Sequence, residues 1–584
     1  MKLNINLTQY RKSEILAAIT IGFVAIIVLN LFYIQIVRHD YYKQQAYDEQ
    51  VAKFILPAKR GEIYARDGTD VIPLVLNEPV YIAYADPQQV KDKEELIDTM
   101  NSIAGGNMIK DYKTGLDNKK LRYVVLARGL KYDQAELLKK KNIPGIGLTA
   151  SDRRVYPEGS LAAQLLGYVN DEGKGQYGAE EALNERLKGV NGKLQAVTDV
   201  RRIPLTVSER DISIPAQDGD NLVLSVDRNI QSYAEKALKQ GLDKVKATKG
   251  SVVIMDPNTG RIMAMANYPT YDPAKYNEVE DYGIFQNGIV SDPYEAGSVI
   301  KTLSMGAGLD SGAVNVNTTF NNRGYVQVDD RKISNVEEDP INANATMTDV
   351  LHYSLNTGVV YILQQMGGGK VNLQARNKFY DYFHNHYRFG EKTGVEQAGE
   401  SKGIIIPPTD EQGNNVRYAN MAFGQGMDVT MMQVAAAFSS TINGGTFYKP
   451  TIITGTTNDG DKVKAQAPKI VKKNVLKANT SKDLRDMIVK GRQLGALGGK
   501  DRPGFVVGGK TGTSQIIDPK TGEYTDANSI GSYLGFGGNQ TPQYVIMVQV
   551  KDSKAAGYAG TTAAGPIFGD ISNWLIDYLK ITPN

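Results

Sequence analysis

The chain reads as a multidomain α+β protein with three parts. These are one transmembrane helix, an elongated front domain of mixed α/β character, and a C-terminal antiparallel sheet covered by helices. Three observations predict this. No residue from Ile15 to Val37 is charged, while Glu14 and Arg38 bracket the run. Residues 40 to about 215 mix short strands, polar helices and turns with no dominant period. Beyond Asn221, strand patterns stand at both ends of a long helical region, the order expected when helices cover both faces of one sheet.

The apolar run is long enough, at about 1.5 Å per residue, to cross a hydrocarbon core of roughly 30 Å. It continues into Arg38-His39-Asp40 with no small-residue cleavage site, which predicts a retained anchor over 15–37. Lys2, Arg11 and Lys12 precede it and predict a cytoplasmic tail over 1–14, with everything after about residue 38 outside the cytoplasm. In the front region, Leu130 to Asn142 has helical spacing, and Gly167 to Gly189 reads as a Gly-rich loop followed by a helix. The Pro, Gln, Asp and Gly of Ile212 to Gly219 mark a boundary, giving domains over 38–215 and 216–584.

Past the boundary, Asn221 to Val226 is a strand, and Asp227 caps a helix running to about Leu238. Ser251 to Asn267 is two apolar strands around Asp-Pro-Asn-Thr-Gly. Further strands are expected at Phe505 to Thr513, Ile530 to Phe536 and Tyr544 to Val550, with a closing helix over Ile567 to Ile581. Composition narrows function. A net charge of +3 leaves no footprint for nucleic acid, and the lack of cysteine removes disulfides, thiolate catalysis and Cys-based zinc sites. His384 and His386 form an H-x-H pair with no third ligand, so no metal site is assigned.

The stretch GFVVGGKTGTSQ (Gly504 to Gln515) satisfies two catalytic signatures at once. A phosphate loop needs a strand before its first glycine and a helix at its lysine. Here GGKDRP precedes Gly504, and Thr-Gly-Thr-Ser, poor helix material, follows Lys510. A glycine-bearing strand with Lys510 beside it fits better, and such an edge suits close approach by an extended peptide. A nucleophile is offered by YEAGSVIKTLSMG (Tyr294 to Gly306). Ser298 follows a glycine at a first helical turn, and Lys301 lies three residues on, on the same face. A lysine in an apolar pocket beside another cation has a depressed pKa and serves as a base. Ser354 and Asn356 of HYSLNTG sit in a break between helices, where a hydroxyl relays a proton and an amide holds substrate or lysine. Alone, each pattern is common; the set S-x-x-K, S-x-N, K-T-G in this order is not.

This set resembles the penicillin-recognising serine enzymes. The chain as a whole is similar to class B penicillin-binding proteins. RGEIYARDG (Arg60 to Gly68), RRVYPEGSLAAQLLGYVN (Arg153 to Asn170) and GQYGAEEALNERLKGVNG (Gly175 to Gly192) resemble the three boxes of their non-catalytic domain. AFGQGMDVTMMQVAAAFSSTINGG (Ala422 to Gly445) resembles their G-Q-G segment. The resemblance implies a five-stranded transpeptidase sheet behind a pedestal domain, and a peptidoglycan D,D-transpeptidase that forms an acyl-enzyme on Ser298. It implies Lys301 as base and Ser354, Asn356 and Lys510 as relay and electrostatic frame. Thr511, Gly512 and Thr513 then belong to the strand that binds the substrate carboxylate, the N–H groups of Ser298 and Thr513 forming the oxyanion hole. No cofactor is needed. The implied partners are stem peptides ending in D-Ala-D-Ala, β-lactams, a polytopic SEDS-type glycan polymerase and other wall-synthesis proteins. Asn356 tilts the reading towards division over elongation. A catalytically silent β-lactam-binding scaffold or sensor and a carboxypeptidase or β-lactamase-like hydrolase are the alternatives. The chain departs from the family at Ala296 and Thr302, where prolines are usual, and at Ala65, where an aspartate is common.

Overall fold

The structure is a computed structural model, and it describes residues 12–197, 212–335, 344–517 and 524–584. The expected tail falls on residues of which 1–11 lie outside the described ones. An apolar helix, α1 (Lys12–Phe32), continues through a π turn at Tyr33–Val37. Together they form a span of 26 residues, with a mean hydropathy of 2.7 over its 18-residue window and no buried residue, long and apolar enough to cross a membrane.

The described chain forms two compact units. One comprises the described residues up to Lys59 with Gly189–Gly219, and holds a small antiparallel sheet of Val51–Leu56, Gly192–Val197 and Ile212–Ile214. The other comprises Arg60–Lys188 and Asp220–Asn584. Within it, strand Asn221–Asp227 runs parallel to Ile63–Asp67 on one side and antiparallel to Ile453–Thr457 on the other. A seven-stranded sheet thus joins residues from both sides of the expected boundary at 215. A buried ion cluster holds the three front boxes together. Glu180, fully buried, accepts from Arg60 and Arg154, and Arg60 also donates to Asn184 Oδ1 at 2.9 Å.

The catalytic half is built on a five-stranded sheet of β1 (Lys249–Met255), β2 (Ile262–Tyr268), β3 (Val506–Ile517), β4 (Tyr524–Gly538) and β5 (Pro542–Lys551). Its order is β2-β1-β5-β4-β3, antiparallel throughout, which leaves β3 at an edge. Alternation along the strands decides what covers each face. Val252, Ile254, Ile546 and Val548 pack under α2 (Arg228–Val245) and the closing helix Gly565–Tyr578. Val253, Met255, Val545 and Met547 face the larger core of the helical insert. Asp227 caps α2 as expected, accepting from Asn229 N at 2.9 Å. The helix runs on past Leu238 to Val245 because Leu242 and Val245 keep its apolar face buried. Gly241 is accommodated within it because a β-carbon there would stand 2.3 Å from Ile567 Cγ1.

Candidate active site

The nucleophile turn is shaped by backbone contact. Gly297–Ile300 forms a 3₁₀ turn leading into α3 (Lys301–Asp310). In a 3₁₀ turn residues i and i+3 eclipse, so Ser298 and Lys301 share one face. Gly297 has φ +63°, and a β-carbon there would stand 2.8 Å from Thr513 O. Behind it, Gly297 N donates to Gly424 O at 3.0 Å, and a β-carbon on Gly424 would stand 2.1 Å from Gly297 O. The G-Q-G segment is therefore the floor of the serine turn, a role its sequence alone does not signal. The absent prolines have local substitutes. Thr302 Oγ1 donates to Val299 O at 2.7 Å, and the fully buried Ala296 packs its carbonyl towards Gly512.

Strand β3 carries Lys510, Thr511, Gly512 and Thr513 against this turn. Gly512 has no room for a side chain: its β-carbon would meet Ser532 Oγ at 2.5 Å and Ala296 O at 3.0 Å. Ser514 Oγ, two residues on from Gly512, donates to Glu295 O, and Gly426 N donates to Glu295 Oε1 at 2.6 Å. The lysine of Gly504–Thr511 thus lies within a strand, not at a helix start, and the phosphate-loop pattern has no loop to form.

The S-x-N segment approaches from the other side. Ser354, with φ +59°, sits between α4 (Met347–His352) and α5 (Asn356–Met366), in the predicted break. Lys301 Nζ donates to Ser354 O and, at 3.1 Å, to Ser354 Oγ. Lys301 is 1% exposed, and its pKa is driven well below the ordinary lysine range, first by burial and then by the Lys510 ammonium. Lys510 is 4% exposed, donates to Thr511 O at 3.1 Å and Thr511 Oγ1 at 3.2 Å, and is pushed down to about 7 by burial. Lys301, Ser354 and Lys510 thus come from three distant stretches to one place, with Ser298 on the turn that leads into Lys301. Asn356 arrives with them, but its Nδ2 donates to Ser334 O at 2.9 Å, not to Lys301. Behind Lys510 and Thr511, a cavity of about 150 Å³ opens between β3 and the helix Ala478–Gln493. The Nδ1 atoms of His384 and His386 meet the carbonyls of Phe389 and Val475 at 2.8 and 2.7 Å.

Residues 250–573 match the family model of the penicillin binding protein transpeptidase domain. Residues 55–224 match that of the penicillin-binding protein dimerisation domain. The chain belongs to the class B penicillin-binding proteins. Stage V sporulation protein D of Bacillus subtilis is 29% identical over 582 residues, covering 98% of this chain and 86% of that protein. Peptidoglycan D,D-transpeptidase FtsI of Escherichia coli is 27% identical, covering 90% and 84%. Among solved structures, penicillin-binding protein 3 of Mycobacterium tuberculosis in complex with aztreonam aligns with a TM-score of 0.67 at 25% identity, covering 91% of this chain and 98% of that one. Penicillin-binding protein 2X of Streptococcus thermophilus shares the fold, with a TM-score of 0.70 at 24% identity, covering 91% and 80%. Fold, family and membrane anchoring thus agree with what the sequence implies.

Proposed function

We propose that this chain is a serine D,D-transpeptidase that cross-links peptidoglycan stem peptides. One observation carries the reading: two buried lysines stand close enough for the charge of one to lower the pKa of the other, under a glycine-shaped serine turn and beside an edge strand. Burying two ammonium groups together disfavours their charge, which favours the neutral form of Lys301 that a base needs.

The donor peptide lies along β3, its terminal carboxylate held by Thr511, Thr513 and the Lys510 field. Ser298 Oγ gives its proton to Lys301 Nζ and attacks the carbonyl of the penultimate D-alanine. The N–H groups of Ser298 and Thr513 hold the oxyanion, a donor of this kind contributing about 3 kcal/mol. The C–N bond breaks as the leaving amine takes the proton from Lys301 through the Ser354 hydroxyl, and D-alanine departs. An acceptor amine then attacks the ester carbonyl and gives a proton to Lys301, which passes it to Ser298 Oγ as the ester C–O bond breaks and the cross-link forms. β-Lactams acylate the same oxygen but leave no group to depart.

The charges of Lys2, Arg11 and Lys12 before the apolar run favour an N-terminus in the bacterial cytoplasm with residues 38 onward outside, residues 38–215 serving as the non-catalytic pedestal domain. Asn30 and Gln35 within the span are suited to hydrogen-bond a polytopic glycan polymerase. The reading is tested by incubating the full-length protein in detergent with a D-Ala-D-Ala stem pentapeptide and an amine acceptor. D-Alanine release should match cross-linked product. Release without product would indicate a hydrolase, and neither, with penicillin still bound, a scaffold.

A further inference from the structure

A group of amides outside the three motifs is built around the start of α5. Asn322 is fully buried before a hairpin of Tyr325–Val328 and Arg331–Ser334, and Asn335 directly follows the hairpin. Thr357, the residue after Asn356, donates its N–H to Asn335 Oδ1 at 2.9 Å. Its hydroxyl lies 2.9 Å from Asn322 Oδ1 and 3.1 Å from Asn335 Oδ1. Asn335 Nδ2 donates to Asn322 Oδ1 at 3.0 Å, and Gly324 N donates to the same oxygen at 3.1 Å. The hairpin is closed by Asn335 N donating to Gly324 O at 2.9 Å, and its last carbonyl, Ser334 O, receives Asn356 Nδ2.

This arrangement does more than cap a helix. The first N–H groups of a helix have no partner within it. Here one is met by Asn335, so the position of the first turn is tied to the hairpin. The neighbouring Ser334 carbonyl fixes which end of the Asn356 carboxamide faces the hairpin, since only its nitrogen donates. A buried and connected amide network is stiff, and removing one member leaves the others unsatisfied. We propose that Asn322, Asn335 and Thr357 are positioning residues that hold Asn356 for the donor peptide. The proposal rests on the acyl-transfer reading of the site.

The test uses full-length protein and the second-order rate of acylation by fluorescent penicillin, with Tm measured alongside. Thr357→Val keeps shape and removes the hydroxyl donor, and Thr357→Ser restores it. Thr357→Val should lower the rate roughly tenfold, and Thr357→Ser should stay within about twofold of the native protein. Asn335→Ala, which removes the acceptor instead, should fall with Thr357→Val, and it serves if the valine variant does not fold. The deciding comparison is a double-mutant cycle with Asn356→Ala. If Thr357 acts through Asn356, the double variant acylates no more slowly than Asn356→Ala alone. Multiplying losses, or a Thr357→Val rate within about twofold of native, overturns the proposal. An unlabelled native protein would instead refute the acyl-transfer reading, so the two failures are distinct.

Discussion

Gly424→Ala tests how the serine turn is held. Gly424 has φ +90°, where a side chain is strained by roughly 1–2 kcal/mol, and its β-carbon would stand 2.1 Å from Gly297 O. Contacts under 3.0 Å are essentially never seen for such carbons, so one backbone must retreat by about 1 Å. The atom that blocks it is a carbonyl, not a flexible side-chain end, and it belongs to the residue before Ser298. A misplacement of about 1 Å at a reacting group lowers rates on the order of 100-fold. The variant should therefore lose that much of its penicillin acylation rate, followed by gel fluorescence over time. Gly444→Ala is the control: φ is +91° there, but nothing lies within 4 Å of the added carbon. It should show the strain in Tm and leave acylation intact. A Gly424→Ala rate within about threefold of native, or equal losses in both variants, would refute the floor role of the G-Q-G segment.

The buried lysines give the acylation rate a pH dependence. The charge of Lys510 lowers the pKa of Lys301, so Lys510→Gln should move the acid limb of the acylation profile to higher pH; an unmoved limb would mean the two ammonium groups do not interact. For stability, Lys510 titrates at about 7 folded and 10.5 unfolded, so between those values the unfolded chain holds the extra proton. Raising pH through that window then stabilises the native protein, and Lys510→Met should gain on the order of 4 kcal/mol near pH 7 and lose that advantage towards pH 10.5 in denaturant melts. In the front region, Glu180→Ala strands two guanidinium groups in the interior, which should destabilise by about 3–5 kcal/mol and lower Tm, whereas Glu78→Ala, which removes an exposed partner of Arg153, should change little.

How much of this was legible in the sequence depends on what each feature needs. Short-range patterns read well. Apolar runs around turn residues marked strands of the sheet, Asp227 marked the start of α2, and the break around Ser354 was visible between helical stretches. The motifs could be read together because each carries chemistry that means little alone, and the structure brings Lys301 within hydrogen-bond reach of Ser354 and within the electrostatic influence of Lys510. Three-dimensional contacts left weaker traces. Nothing in Gly424 says that Gly297 will rest upon it, since glycine serves turns of every kind. Asn322 and Asn335 look like ordinary turn residues, and only their convergence on Thr357 distinguishes them. The seven-stranded sheet was missed for a related reason. The Pro-Gly boundary at 212–219 suggests a clean division, yet the strand just after it pairs with Ile63–Asp67.

Everything in the mechanism passes through one oxygen. Intact-protein and peptide mass spectrometry of the penicillin-treated full-length chain would locate the covalent adduct. The account predicts a single acyl group on the peptide containing Ser298, absent from a Ser298→Ala variant that melts like the native protein. An adduct that persists in that variant, or that maps to another residue, would contradict it.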